Sequence, residues 1–332
     1  MKSILVTQSF GRENEYRRVI FMIWSFWAQF SVSAKVILFT DRPDYFQSYF
    51  SGFEIEYIQL TSDKIKQMRG DIDFLHRMKI ALIEEAFRMS DGNLLYADSD
   101  TFFTADPSPL LEKISRSNAF MHTREYAFES IRQMPLPAGK TFRAFVSLID
   151  ENVFNLADGS TLKITADQSS WNAGVMMFHQ SHADLLSDVF SLTDQFYPTT
   201  QNHASEQYAF SVVMQNKLVL DSCEKVIYHY WYRIKKEIMD IFLEKNLRDF
   251  LKFSIDQRIT LIKKWTIELP LLFERHVLTL RDQSIQSFHE NNFKKGYGFA
   301  LRAMMKNPFD YTFIKNLVYH TKRCLRIIGK LK

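Results

Sequence analysis

Short apolar runs recur through the first two thirds of the chain, at Ile4 to Val6, Val36 to Phe39, Ile55 to Leu60, Leu94 to Tyr96 and Val175 to Phe178. Helical periodicity fills the intervals between them, and such alternation predicts strand-helix-strand units around a largely parallel sheet. Between the first two runs, Tyr16, Val19, Ile20, Ile23, Phe26, Trp27 and Phe30 fall at spacings of three and four, which predicts a helix with one apolar face turned to the sheet. A second helix is predicted from Asp71 to Met89, with Phe74, Met78, Leu82 and Ala86 on its apolar stripe and His76, Arg77 and Lys79 around the other side. After about residue 235 strand signals stop, and apolar spacing becomes helical, as in Leu251, Ile255, Ile259 and Ile262 or Phe299, Leu301, Met304 and Met305. The pattern predicts an α/β domain over residues 1–238, its mostly parallel sheet flanked by helices, followed by an α-helical extension over 239–332.

Composition narrows the class. Of 332 residues, 46% are hydrophobic and 24% charged, ordinary globular usage that excludes a disordered, collagen-like or low-complexity chain. Cys223 and Cys324 are too few and too far apart for a disulfide framework or a cysteine-based zinc site, which predicts a reducing compartment. The uncharged stretch from Val19 to Ala34 is shorter than the roughly 20 apolar residues of a membrane span. At the N-terminus the apolar run after Lys2 is too short for a secretory signal, so a cytoplasmic protein is expected.

Chemistry concentrates in Asn93-Leu94-Leu95-Tyr96-Ala97-Asp98-Ser99-Asp100. An apolar strand here delivers two carboxylates to its C-terminal end, the place where open α/β sheets hold ligands. Side chains at i and i+2 can share one hard cation that keeps positions open for water and phosphate oxygens, and the passenger expected on it is a diphosphate. The alternative is a solvated turn. Asp71-Ile72-Asp73 has the same spacing but is predicted to open the second helix, where acidic residues favour the positive end of the dipole. Arg77 and Lys79 could contact a diphosphate or a donor sugar, or simply form a solvated helix face. Thr7 and Gln8 after the first strand, and Asp41 after the second, stand where a nucleoside would sit, or in ordinary polar loops.

Asp98-Ser99-Asp100 resembles the D-x-D element of type A (GT-A) nucleotide-sugar glycosyltransferases, in particular the family of glycogenin and the bacterial lipopolysaccharide galactosyltransferases. Phe39-Thr40-Asp41 resembles the nucleotide-side loop of that family, and Trp171-Asn172-Ala173-Gly174-Val175 its N-x-G-V strand. Val226-Ile227-Tyr228-His229, six positions before Lys235, matches its H-x5-K spacing, although Tyr232 stands where the family has Gly, and Lys236-Glu237 where it has Pro-Trp.

The resemblance implies a Rossmann-like GT-A fold over about residues 1 to 235. It further implies His229 as third ligand, beside Asp98 and Asp100, of a Mn²⁺ or Mg²⁺ ion, with Lys235 on the diphosphate of a nucleoside-diphosphate sugar. Tyr96, Asn172 and Gly174 join Thr7, Gln8, Asp41, Arg77 and Lys79 in the donor-binding set. Ser205-Glu206-Gln207 resembles the family's D-Q element: Glu206 is a base for an inverting reaction or a sugar-hydroxyl contact, Gln207 sits at the anomeric carbon of a retaining one, or both merely cap a helix. Asp167 and Trp171 are candidates for the acceptor pocket. Among the remaining histidines, which lack ligand spacing, only His122 follows an apolar run at another expected strand end.

Between Tyr311 and Lys332 there are six basic residues, Lys315, Lys322, Arg323, Arg326, Lys330 and Lys332, and no acidic one. Mixed with Leu317, Val318, Leu325, Ile327, Ile328 and Leu331, they suit an anionic bilayer surface, where a lipid-linked acceptor would be met; the alternative is a basic solvated end or a subunit interface. Asn292-Phe293-Lys294-Lys295 and Ala300-Leu301-Arg302-Ala303-Met304-Met305-Lys306-Asn307-Pro308 resemble the helical C-terminal extension common on bacterial glycosyltransferases, which implies a role in cell-envelope polysaccharide synthesis. No nucleic-acid-binding module accompanies the charge, so no nucleic-acid partner is expected. Two rivals to a transferase remain: a haloacid-dehalogenase-like phosphatase, whose pattern needs Thr where Phe102 stands, and an inactive nucleotide-sugar-binding protein.

Overall fold

The computed structural model describes residues 3–30, 34–134, 139–327 and 329, and Ile328, Lys330, Leu331 and Lys332 of the basic tail lie outside them. The chain divides into two compact units, Met1–His229 and Tyr230–Lys332. The first opens with β1 (Ser3–Ser9), α1 (Glu13–Gln29), β2 (Ala34–Thr40), α2 (Pro43–Phe46), β3 (Ile55–Gln59), α3 (Ser62–Arg69), α4 (Arg77–Arg88) and β4 (Asn93–Ala97). It continues with β5 (Thr101–Phe103), α5 (Ser108–Leu111), β6 (Asn118–Met121), β7 (Arg124–Ala127), α6 (Lys140–Glu151), β8 (Phe154–Asn155), β9 (Thr161–Leu162) and β10 (Ser169–Trp171). It closes with β11 (Val175–Phe178), α7 (Leu186–Thr200), α8 (Ser205–Lys217), β12 (Val219–Ser222) and β13 (Ile227–His229).

Seven strands form one sheet in the order β12-β6-β11-β4-β1-β2-β3. Only β11 runs against its neighbours, β4 and β6, so the architecture is mixed α/β with a mostly parallel sheet flanked by helices. Consecutive residues of the central strands, Val36 to Phe39, Leu94 to Ala97 and Val175 to Phe178, are all buried, as strands covered on both faces must be.

Helix α1 departs from the expected single apolar stripe, because every residue from Val19 to Phe26 is buried. Its outer side is covered by aromatic rings: Phe21 meets Phe102 at 5.6 Å between centroids, Phe26 meets Phe103 at 5.1 Å, and Trp24 meets Phe53 at 5.1 Å. The second predicted helix starts later than its pattern suggests. Gly70 (φ 65°) ends α3, Asp73 takes a left-handed conformation (φ 48°), and the chain turns through Asp71 to Asp73 before α4 begins at Arg77. Arg69 pairs with Asp73 at 2.9 Å, so this acidic triplet serves a turn and opens no helix.

The second unit consists of α9 (Arg233–Asn246), α10 (Ile255–Arg275), α11 (Val277–His289), α12 (Phe293–Lys306) and α13 (Tyr311–Ile327). Helix α10 is started by a capping box between Ser254 and Gln257. Leu280, Ala300, Ala303 and Phe313 form a small core, whereas Leu301, Met305, Phe309 and Tyr311 are exposed. No helix among the described residues is long and apolar enough to cross a membrane.

Candidate active site

The acidic motif is placed by two strand pairings. Val175 of β11 lies opposite Ala97, the last residue of β4, and the Asp98 amide donates to the Gly174 carbonyl at 2.8 Å. The Thr7 hydroxyl donates to the Ala97 carbonyl at 2.8 Å and ties the neighbouring strand to the same edge. Beyond the motif, β5 pairs antiparallel with β13 so that His229 falls opposite Thr101. An imidazole more than a hundred positions away is thereby delivered beside Asp100.

Ligand atoms of Asp98, Asp100 and His229 all lie within 4.8 Å of one another. Asp100 and His229 are buried, and His229 Nε2 stands 3.3 Å from Asp100 Oδ1. On the other side of the ring, Nδ1 lies 2.9 Å from Asn172 Oδ1. Gly174 is required here by close approach: a Cβ at that position would lie 2.1 Å from His229 Cε1. Two carboxylates and one imidazole are a donor set for a hard or borderline divalent cation, and the close acceptor atoms of Asp100 and His229 suit one.

Lys79, which the helical pattern assigns to the polar side of α4, is instead buried (6% exposed). Its ammonium reaches Asp98 Oδ2 at 3.3 Å, Glu206 Oε1 at 2.8 Å and the Ala173 carbonyl at 3.1 Å. Burial by itself would lower the Lys79 pKa, but the facing Asp98 and Glu206 carboxylates outweigh it and hold the group above its ordinary value. The Tyr96 hydroxyl donates to Asp98 Oδ1, and burial followed by the Asp98 charge raises its pKa well above the ordinary phenol.

Glu206 and Gln207 lie in the first turn of α8, after the N-cap Ala204. Glu206 is 3% exposed and committed to Lys79. Gln207 donates to Glu125 Oε2 at 2.9 Å and to the Ser170 hydroxyl at 2.8 Å, and accepts from the Ala173 amide at 3.3 Å. Glu125, on β7, also accepts from Asn172 Nδ2 at 3.0 Å and from Ser170 at 3.0 Å. No sequence motif pointed to Glu125; the nearest signal was its position just after His122, at the end of the apolar run that forms β6.

No protein-family model matches the sequence, and no curated protein matches it. Among solved structures the chain is similar to mouse xyloside xylosyltransferase 1 in its apo form, with a TM-score of 0.44 and 9% identity, covering 67% of this chain and 85% of that one. It is similar to galactosyltransferase LgtC in complex with donor and acceptor sugar analogs, with a TM-score of 0.44 and 11% identity, covering 65% of this chain and 72% of that one. A third, the glycosyltransferase GlyE of Streptococcus pneumoniae TIGR4, has a TM-score of 0.40 and 11% identity over 77% of this chain and 53% of its own. All three are glycosyltransferases.

Gln8 Nε2 lies 3.5 Å from the Tyr96 hydroxyl, at the same sheet edge. Asp41 accepts from the Gly11 amide at 3.0 Å and from the Tyr16 hydroxyl at 2.8 Å, which staples two loops; burial and Asp41 push the Tyr16 pKa up to about 12. Arg77 forms a two-pronged pair with Asp194 at 2.7 and 3.0 Å and stacks on Phe190, so its guanidinium serves the packing of α4 on α7. Lys235 belongs to the first turn of α9, in the second compact unit. Asp167 and Trp171 do share a concavity: with Arg124, Gln168 and Gln215 they line a cleft of about 420 Å³. His122 is buried, its ring 5.3 Å from that of His229, and burial then the neighbouring imidazole lower its pKa to about 3.

Proposed function

We propose that the protein transfers a sugar from a nucleoside-diphosphate sugar to a saccharide or lipid-linked acceptor, with a divalent cation held by Asp98, Asp100 and His229. The observation that carries this reading is the meeting of both motif carboxylates with the His229 imidazole at the C-terminal end of β4, where such sheets bind ligands. When bound there, Mn²⁺ or Mg²⁺ supplies Lewis acidity that offsets charge growing on the departing diphosphate. Tyr96 and Lys79 fix Asp98 from both oxygens, so the carboxylate is held in place before any ligand arrives. Glu206, buried against the Lys79 ammonium, is suited to balancing that charge and poorly suited to collecting a proton as a base. Gln207, locked by Glu125, Ser170 and the Ala173 amide, offers a fixed amide at the same edge. Lys235 is kept as the diphosphate contact on the strength of the six-residue spacing from His229. The Trp171 cleft is the acceptor-side candidate, combining an aromatic face with planar polar groups.

The test is thermal stabilisation by a panel of nucleotide sugars, each with Mn²⁺ and with chelator, followed by donor hydrolysis for those that bind. Binding to the native state alone raises the midpoint by mass action. A metal-dependent shift with at least one nucleotide sugar is expected; shifts that ignore the chelator throughout overturn the metal-dependent reading.

Bilayer attachment forms the second part of the proposal. Leu301 and Met305 are 64% and 77% exposed on α12, with Arg302 and Lys306 beside them, and Phe309 is 90% exposed ahead of the basic α13. Apolar side chains flanked by cations suit the interface of an anionic membrane, each cation adding on the order of 1 kcal/mol. Sedimentation with phosphatidylglycerol vesicles, and release by salt, is the expected behaviour of a cytoplasmic protein working peripherally on the membrane; equal sedimentation with phosphatidylcholine overturns it.

A further inference from the structure

The orientation of the Asn172 amide is fixed by partners that allow only one arrangement. The Gly174 backbone N–H, which can only donate, lies 3.0 Å from one end, and the Glu125 carboxylate, which accepts, lies 3.0 Å from the other. The carbonyl end of Asn172 therefore faces Gly174, and it is this same oxygen that lies 2.9 Å from His229 Nδ1. An amide oxygen accepts, so Nδ1 carries the proton; in the neutral ring the Nε2 lone pair then faces the Asp100 carboxylate oxygen at 3.3 Å, and two such acceptors are matched by a cation between them. Glu125 itself is held by three donors, Asn172, Ser170 and Gln207, so one carboxylate orders the imidazole and the Gln207 amide together.

We infer that Glu125 is a positioning residue for His229: acting through Asn172, it sets the imidazole in the tautomer protonated on Nδ1 and so presents the Nε2 lone pair to the cation site. This rests on the metal reading of the site, but its first readout needs no metal. Removing the carboxylate charge at position 125 leaves one carbonyl oxygen for three donors and introduces an amide nitrogen among them. Only the Gly174 N–H then holds the Asn172 oxygen toward His229, and the preference for the Nδ1–H tautomer weakens. Loss of such an outer hydrogen-bond partner typically costs ten- to a hundredfold in metal affinity.

The experiment is long-range ¹H–¹⁵N correlation on the full-length, histidine-labelled protein in chelator at pH 8, with His229 assigned by the His229→Ala variant, alongside Mn²⁺ titration by electron paramagnetic resonance. His229 is expected as the Nδ1–H tautomer. In Asn172→Ala that signature fades and the Mn²⁺ dissociation constant rises about tenfold or more; Glu125→Gln shows a second, Nε2–H population and a severalfold rise. A wild-type His229 protonated on Nε2 and not on Nδ1 overturns the inference, whether or not the variants fold, as does unchanged Mn²⁺ affinity in both Asn172→Ala and Glu125→Gln. If the wild type binds no Mn²⁺ yet shows an Nδ1–H ring that Asn172→Ala disturbs, the positioning role stands and the metal reading falls.

Discussion

Asp71-Ile72-Asp73 and Asp98-Ser99-Asp100 have the same spacing and opposite fates. The first is an exposed turn between α3 and α4, where Asp73 is paired with Arg69 from the preceding turn of chain. The second ends a buried strand, and partners from four distant elements close on it: Lys79 of α4, Gly174 before β11, Glu206 of α8 through Lys79, and His229 of β13. Two carboxylates become a candidate cation site when the topology surrounds them with fixed partners and excludes most water; left in a loop, they remain solvated charges.

The sharpest way to break the contrast is to neutralise one acid in each triplet. Asp100→Asn is expected to abolish the metal-dependent thermal shift and to lower donor hydrolysis by about a hundredfold or more, a loss of the size seen when a single charge-stabilising group is removed. Asp71→Asn, measured side by side, should leave both unchanged. Next in size is Lys79→Met, which strands Glu206 and one oxygen of Asp98 without their buried cation. Chemical denaturation should show a loss of about 3–5 kcal/mol, and a loss below about 1 kcal/mol would mean that the pair is weakly coupled to folding.

A pH titration probes the same neighbourhood. His122 is held neutral by burial, with its pKa lowered to about 3, while the unfolded chain protonates it near its ordinary 6.5. Stability is therefore fully present above pH 6.5 and is lost as pH falls toward 3, by about 2 kcal/mol at pH 5 in chelated protein. His122→Gln should flatten that part of the profile. The smallest expected effect lies back in the first triplet: Asp73→Asn breaks an exposed ion pair while keeping a residue that tolerates left-handed backbone, and it should change stability by no more than about 0.5 kcal/mol.

Much of this site was legible before any fold was known. The β4 run and its two acids stand together in the chain, and His229 could be reached through its spacing from Lys235. Lys79 stayed open between a diphosphate contact and a solvated face because helical periodicity reports only which side of a helix is apolar. A charge opposite carboxylates from β4 and α8 can be buried against that pattern. Arg77 was ambiguous for the same reason, and its answer, Asp194, lies far along the chain. The late start of α4 escaped notice because Gly70 and a left-handed Asp73 interrupt a stripe whose apolar members, Phe74 included, are nonetheless buried. Glu125 had no motif at all, since its role exists only through the partners that β10 and α8 bring to it.

The ring of His229 occupies the volume in which a side chain at position 174 would begin. The two positions are thus a single choice made twice: a lineage that keeps this histidine cannot drift at the glycine, and one that abandons the histidine is released from it. Joint loss of both, in chains that retain the acidic pair, is the trace that such a coupling leaves behind.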